Sequence, residues 1–138
     1  DAPQINAEID LHPNFPKRGV RKFKTSGEFY VSKEDLSFNE GKIYRLMDCL
    51  NFVKRGNKLL FDSKEYQHFK DKGEKILHWL PADEKQIAKI KIMMDDGKYS
   101  EGYAEKSVVA LKEGTPVQFE RFGFCVKRGK NEFWFTHK

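Results

Sequence analysis

No apolar run in the chain approaches the length of a membrane span, and no signal-peptide pattern opens it. Cysteine is nearly absent. Cys49 and Cys125 form no CxxC pair, and no histidine stands at metal-ligand spacing from either. Two buried, reduced thiols are therefore expected, and a zinc site is not. No Gly-rich phosphate loop opens a helix. No Ser or Cys sits in a nucleophile-elbow setting. Asp95-Asp96 is a carboxylate pair, but Gly97 follows it, and turn chemistry explains the pair better than acid–base catalysis. His78 lies beside Trp79 on a short apolar stretch, which suits a structural histidine. These absences leave no assembled active site and point to a binding module. The first residue is Asp rather than Met, so the chain reads as a segment of a longer protein. The expectation is a soluble, cytoplasmic monomer with no membrane partner, no metal and no cofactor of its own.

What is present is aromatic, basic and rich in turns. The chain has 138 residues, enough for one ordinary domain or two small ones. Only 38% are hydrophobic, but 12 are Phe, and large rings fill small β cores efficiently. A formal charge of +5, from 26 basic and 21 acidic residues, is a mild bias. It fits either a solvated mixed surface or an anionic partner.

Short alternating segments recur along the chain. "AEIDLHP" is a short strand ending at Pro13, and "HPNFPKRG" is a loop stiffened by Pro13 and Pro16. "GEFYV" is a strand, followed by a turn or helical cap at "SKED" with Ser32 as the candidate cap. "NFVKR" and "KLLFD" flank Gly56-Asn57 as a hairpin, and Ile90, Ile92 and Met94 alternate with Lys89, Lys91 and Met93 before the turn at Asp96-Gly97. "EKILHWLP" and "TPVQFERFGFCVKR" each read as one strand. The polar stretch 62–74 reads as a strand edge or irregular turn, and as the seam between two units. Helical turns fit only "PADEKQIAK" and "AEKSVVALK". Eight to ten short strands follow, an all-β chain of barrels or a sandwich.

Basic residues cluster in "PKRGVRKFK", "VKRGNK" and "VKRGK", each assigned to a loop or turn. Basic loops beside aromatic residues suit RNA, where cations neutralise phosphate and rings stack on unpaired bases. Charged turns also serve solubility alone, so a β-barrel protein-interaction module remains an alternative.

"LHPNFPKRGVR", "GKIYRLMD", "ILHWLP", "GYAE", "VQFERFGFC" and "FWFTHK" occur in that order over residues 8–138. Together they resemble the C-terminal anticodon-binding region of the archaeal/eukaryotic type of glutamyl-tRNA synthetase, with glutaminyl-tRNA synthetase as a close relative. The resemblance implies two antiparallel β-barrels, the first over about residues 1–74 and the second over 75–138, with the last strands returning to the first. It implies tRNA-Glu, or also tRNA-Gln, as the partner. It implies that the parent enzyme binds ATP with Mg in a catalytic domain whose motifs are absent from this chain.

The same resemblance implies roles for single residues. Gln118 and Arg121 fall on the family's reading strand for the central anticodon base, held by Phe119, Phe122 and Phe124. In one regular strand 118 and 121 would face opposite ways, so a bulge near Glu120–Gly123, or departure of the strand from its barrel, is required. Arg45 matches a basic position for the first anticodon base, but Met47 and Asp48 depart from the glutaminyl pattern, which favours the glutamyl reading. The alternative for Arg45 is a barrel-surface charge. Arg18 and Arg21 are candidates for phosphate contact, as are Lys54 and Arg55 of the second cluster.

Overall fold

The computed structural model of the chain describes residues 2–10, 20–119 and 122–138. Nearly all regular structure there is β, as the sequence predicts. It forms two compact units, Asp1–Ala82 and Asp83–Lys138.

In the first unit, β1 (Ile5–Asp10) pairs antiparallel with β2 (Val20–Thr25). Arg21, Lys22 and Lys24 thus lie on a strand rather than in a loop, and Lys22 meets Glu8 across it at 3.9 Å. β4 (Ile43–Leu46), β5 (Leu50–Arg55) and β6 (Lys58–Ser63) form a meander, with β7 (Gly73–Leu77) added in parallel beside β4. The β5–β6 hairpin turns on Gly56 and Asn57, with Arg55 opposite Lys58. Of the two turn residues only Gly56 has positive φ, +61°, the Gly-first pattern of a II′ turn. β3 (Phe29–Val31) pairs with β8 (Trp79–Pro81).

"EKILHWLP" is therefore two strands, β7 and β8, pairing with different partners on either side of His78. Those pairings place both strands in the first unit, so the units divide after Ala82 rather than near residue 74. Tyr44, Leu46, Leu50, Phe52, Leu77 and Trp79 fill the core. Trp79 meets Phe23 and Phe29 edge-on and donates Nε1–H to the Met47 carbonyl at 2.9 Å, which satisfies its polar edge inside the core.

The polar stretch after β6 contains a helix, α1 (Tyr66–Lys70), not a strand edge or irregular turn. It is a short helix whose one buried residue is Phe69. That ring lies where a side chain on Gly73 would be: a Cβ there would meet it at 2.0 Å. Close packing on a bare backbone position holds the helix, a tertiary effect that local propensity does not register. At "SKED" a 3-10 turn spans Lys33–Asp35, but Ser32 makes no side-chain capping bond. Asp35 is instead buried and paired with Lys75 of β7.

The second unit is one five-stranded sheet. Its strands are β9 (Ile87–Met93), β10 (Tyr99–Glu105), β11 (Pro116–Phe119), β12 (Gly123–Lys127) and β13 (Glu132–His137), in the order β10-β9-β13-β12-β11. β13 runs parallel to β9 and antiparallel to β12, so within the pairings described the last strand is the middle strand of this sheet. Ile90, Ile92, Cys125 and Phe133 face the core with Val108, which a 3-10 turn at Lys106–Ala110 supplies. Asp96 Oδ1 accepts from the Lys98 amide at 2.9 Å while Gly97 takes φ +80°, so the Asp95-Asp96 pair belongs to a turn.

Candidate nucleic-acid interface

"VQFERFGFCV" is not one strand. β11 ends at Phe119, which stands opposite Gly123, the first residue of β12. The chain thus reverses between Phe119 and Gly123, and the Phe122 amide donates to the Phe119 carbonyl at 2.9 Å, while the bulge expected near Glu120–Gly123 falls partly outside the described residues. A register shift does occur, but between Phe124 and Cys125, where Phe124 faces His137 and Cys125 faces Phe135. Thr136 is the extra residue, and its hydroxyl donates to the Phe124 carbonyl at 2.9 Å.

Gln118 is exposed and pairs with Phe124 across β11–β12. Phe124 is itself 37% exposed and stacks on His137, with centroids 4.6 Å apart and planes 13° from parallel. The amide thus stands on the outer sheet face beside two stacked rings. Of the three Phe expected to hold the strand, Phe119 does so against Phe133 in the core. Phe124 instead faces outward. Phe122 is also exposed and meets Phe135 edge-on at 6.0 Å. Gly123 has φ +150°, and a Cβ there would approach the Phe135 ring to 2.6 Å and the His137 carbonyl to 2.9 Å. Glycine is required there by both backbone and space.

Arg121 and Glu120 lie outside the described residues, as do Arg18, Lys17, Pro13, Pro16 and Gly19. Arg21 is half-buried on β2. Arg55 is exposed at its hairpin end, and the Gly56 amide beside it donates to Glu40 Oε2 at 2.9 Å. Lys54 is half-buried, with Nζ donating to the Phe38 carbonyl at 3.2 Å. Arg45 is not a surface charge. It is 8% exposed, and Nη1 donates to Asn51 Oδ1 at 2.9 Å and to the Lys64 carbonyl at 3.0 Å. Its guanidinium lies 5.6 Å from the Tyr66 ring centre.

The basic cluster "VKRGK" also divides. Lys127 is 3% exposed and donates to the carbonyls of Val108 and Val109 at 2.6 and 2.8 Å. It therefore ties the 3-10 turn to the sheet. Arg128 is exposed and lies 5.1 Å from the Trp134 ring centre.

Trp134, Tyr99 and His137 on this outer face were not singled out from the sequence. The signal lay in "EFWFTH", where Phe133 and Phe135 turn inward while Trp134 turns out, by period-two alternation. Glu132 accepts from Trp134 Nε1 at 3.1 Å and from the Tyr99 hydroxyl at 3.5 Å, with Lys91 Nζ 3.5 Å away. The Trp134 hydrogen bond, with Lys91 and Tyr99 adding to it, holds its carboxyl below the ordinary range.

Among the described residues, no group of three or more His, Cys, Asp or Glu side chains could hold a metal ion, and no helix is long and apolar enough to cross a membrane. Cys49 and Cys125 are buried free thiols. Burial pushes each up to about 11, opposed at Cys49 chiefly by Arg45.

Two family models match, over residues 1–65 and 76–128, and both describe the anti-codon binding domain of class I (E and Q) tRNA synthetases. Similar curated proteins are named glutamate–tRNA ligase. That of Methanocaldococcus jannaschii is 36% identical over 121 residues, 85% of this chain. That of Methanococcus maripaludis (strain S2) is 38% identical over 126 residues, 86% of this chain. That of Pyrococcus furiosus is 36% identical over 134 residues, 90% of this chain. The aligned regions span 21%, 22% and 23% of those relatives. Matched by both models along most of its length, the chain belongs to the anticodon-binding domain family of the class I (E and Q) tRNA synthetases.

Proposed function

We propose that this chain is the anticodon-reading part of a glutamate–tRNA ligase, an enzyme that attaches glutamate to tRNA-Glu using ATP and Mg in a separate catalytic region. Its place of work is the cytoplasm. The carrying observation is Gln118, whose exposed amide stands beside the Phe124–His137 stack. An amide supplies both a donor and an acceptor for the Watson–Crick edge of an unpaired base, and adjacent rings supply a stacking surface. Arg121, three residues on, adds a charged donor for the same base. Arg45 acts differently in this reading. Its guanidinium is engaged by Asn51 and the Lys64 carbonyl, so it positions the segment that opens α1. The relatives' shared name favours the glutamyl over the glutaminyl reading, in line with Met47 and Asp48.

The test is binding of the chain to glutamate tRNA and to a version with the central anticodon U changed to A, at two salt concentrations. Binding should fall steeply with salt, with a slope of about 0.7 per phosphate contact on unpaired RNA. It should also weaken with the base change. Arg121→Ala should cost about 1–3 kcal/mol of binding, the range for a charged hydrogen bond. A folded Arg121→Ala protein that binds as tightly as the parent would remove the assigned role.

A further inference from the structure

The strand register lines up one residue from each strand of the second unit's sheet in a single row. Tyr99 faces Met93, Met93 faces Trp134, Trp134 faces Val126, and Val126 faces Pro116. Partners across a ladder share a face, so this uncharged row crosses the whole sheet on the side opposite Ile92, Phe133 and Cys125. Its two largest rings stay in water: Tyr99 is 46% and Trp134 42% exposed. Next to it, nearer the β11–β12 connection, lies the outward row of Gln118, Phe124 and His137.

We infer that this outer face is a stacking platform for unpaired RNA bases, with Trp134 and Tyr99 as the stacking rings and Glu132 as the residue that positions them. The inference rests on the anticodon-reading assignment and extends it from Gln118 across the sheet.

Three observations favour RNA as the occupant. Each ring has a cation over one face, Arg128 at 5.1 Å from the Trp134 centre and Lys91 at 4.8 Å from the Tyr99 centre. A base on the ring and its phosphate on the cation are the two halves of single-strand recognition. An open groove of about 580 Å³ borders the row, lined by Lys89, Lys91 and Lys130 against Glu101 and Glu132. Lys89 pairs with Glu101 and Lys91 with Glu132, each at 3.5 Å, so the groove keeps a net positive charge through Lys130 for the backbone of a strand whose bases lie on the rings. Finally, Glu132 ties the Trp134 indole and the Tyr99 hydroxyl to one carboxylate. Rings held in place lose less freedom when a base docks than loose ones do.

The chain offers its own probe. It has two tryptophans, and Trp79 is buried with its indole bonded to Met47, which leaves Trp134 as the exposed fluorophore. The full chain is titrated with a single-stranded RNA of the glutamate-tRNA anticodon-loop sequence and with whole glutamate tRNA, following tryptophan emission and affinity. The expected result is quenching on binding, with Trp134→Leu binding about tenfold more weakly. Trp134→Phe should keep the affinity and lose the quenching. Glu132→Gln should bind more weakly and show altered quenching while melting as a folded protein. If Trp134→Leu binds as the parent does and still distinguishes the central U from A, the platform is wrong and the anticodon reading stands. If the parent chain binds neither RNA, both fall. If Trp134→Leu leaves RNA binding intact but removes concentration-dependent self-association, the face belongs to a second copy and the platform is overturned.

Discussion

Arg45 and Asn51 face each other across β4 and β5, and the guanidinium donates to the Asn51 side-chain oxygen at 2.9 Å. Asn51 is fully buried and passes the connection on, donating at 2.8 Å to both Ser63 Oγ and the Glu65 carbonyl. Arg45 reaches the Lys64 carbonyl between them. One pair of side chains therefore holds the end of β6 and the start of α1 against the sheet.

Asn51→Ala should consequently destabilise the first unit by about 2–4 kcal/mol, because it strips one partner from a buried charge and two from the 63–65 backbone and side chain. Urea unfolding followed by far-UV circular dichroism reads this. A loss below about 1 kcal/mol, the size of one ordinary hydrogen bond, would show that the network carries little.

Gly73→Ala should lower stability by about 1–3 kcal/mol through overpacking against Phe69. Phe69→Ala should also destabilise, by opening a cavity. The two effects should not add, since removing the ring removes the clash. A double-mutant cycle on melting data would show the coupling directly.

Lys127→Met should reduce stability by about 1–3 kcal/mol, because the Val108 and Val109 carbonyls lose their donor inside the second unit. The salt slope of tRNA binding should not change in the folded variant. Arg128→Gln should do the reverse, lowering the slope by about 0.7 with little effect on melting. Paired salt titrations and melts separate the two neighbours.

Both thiols have folded-state pKa values raised from 9.0 to about 11 by burial. Their contribution to stability is therefore complete below pH 9.0 and is lost as pH rises through about 11, since only the unfolded chain ionises them freely. Stability measured from pH 8 upward should fall less in Cys125→Ala than in the parent. At neutral pH a thiol reagent should label neither residue rapidly until denaturant is added.

The all-β class was legible because its signals are local. Gly56-Asn57 and Asp96-Gly97 mark reversals, and Ile90 and Ile92 alternate with lysines as a half-buried strand must. The family resemblance was legible from short motifs kept in order. The five-residue helix α1 was not, because its stabilising contact is a Phe69 ring resting on a glycine four residues later. The break inside "VQFERFGFCV" was missed for a related reason. Five bulky apolar residues favour extended structure equally on both sides of a reversal, and Gly123 was the only punctuation.

Residue type and alternation by themselves determined the β class, the glycine-marked turns at Gly56 and Gly97 and the chemistry available for an anionic partner. Side-chain destination was decided by tertiary structure alone. Lys127 and Arg128 are neighbours in one basic cluster, yet pleating sends the first into the core and the second to the outer face with Trp134. Arg45 reads as a surface or base-contacting charge until Asn51 and the Lys64 carbonyl enclose it. Strand pairing brings together residues far apart in the chain, and it was that pairing which set Tyr99, Trp134 and Gln118 on one face of one sheet.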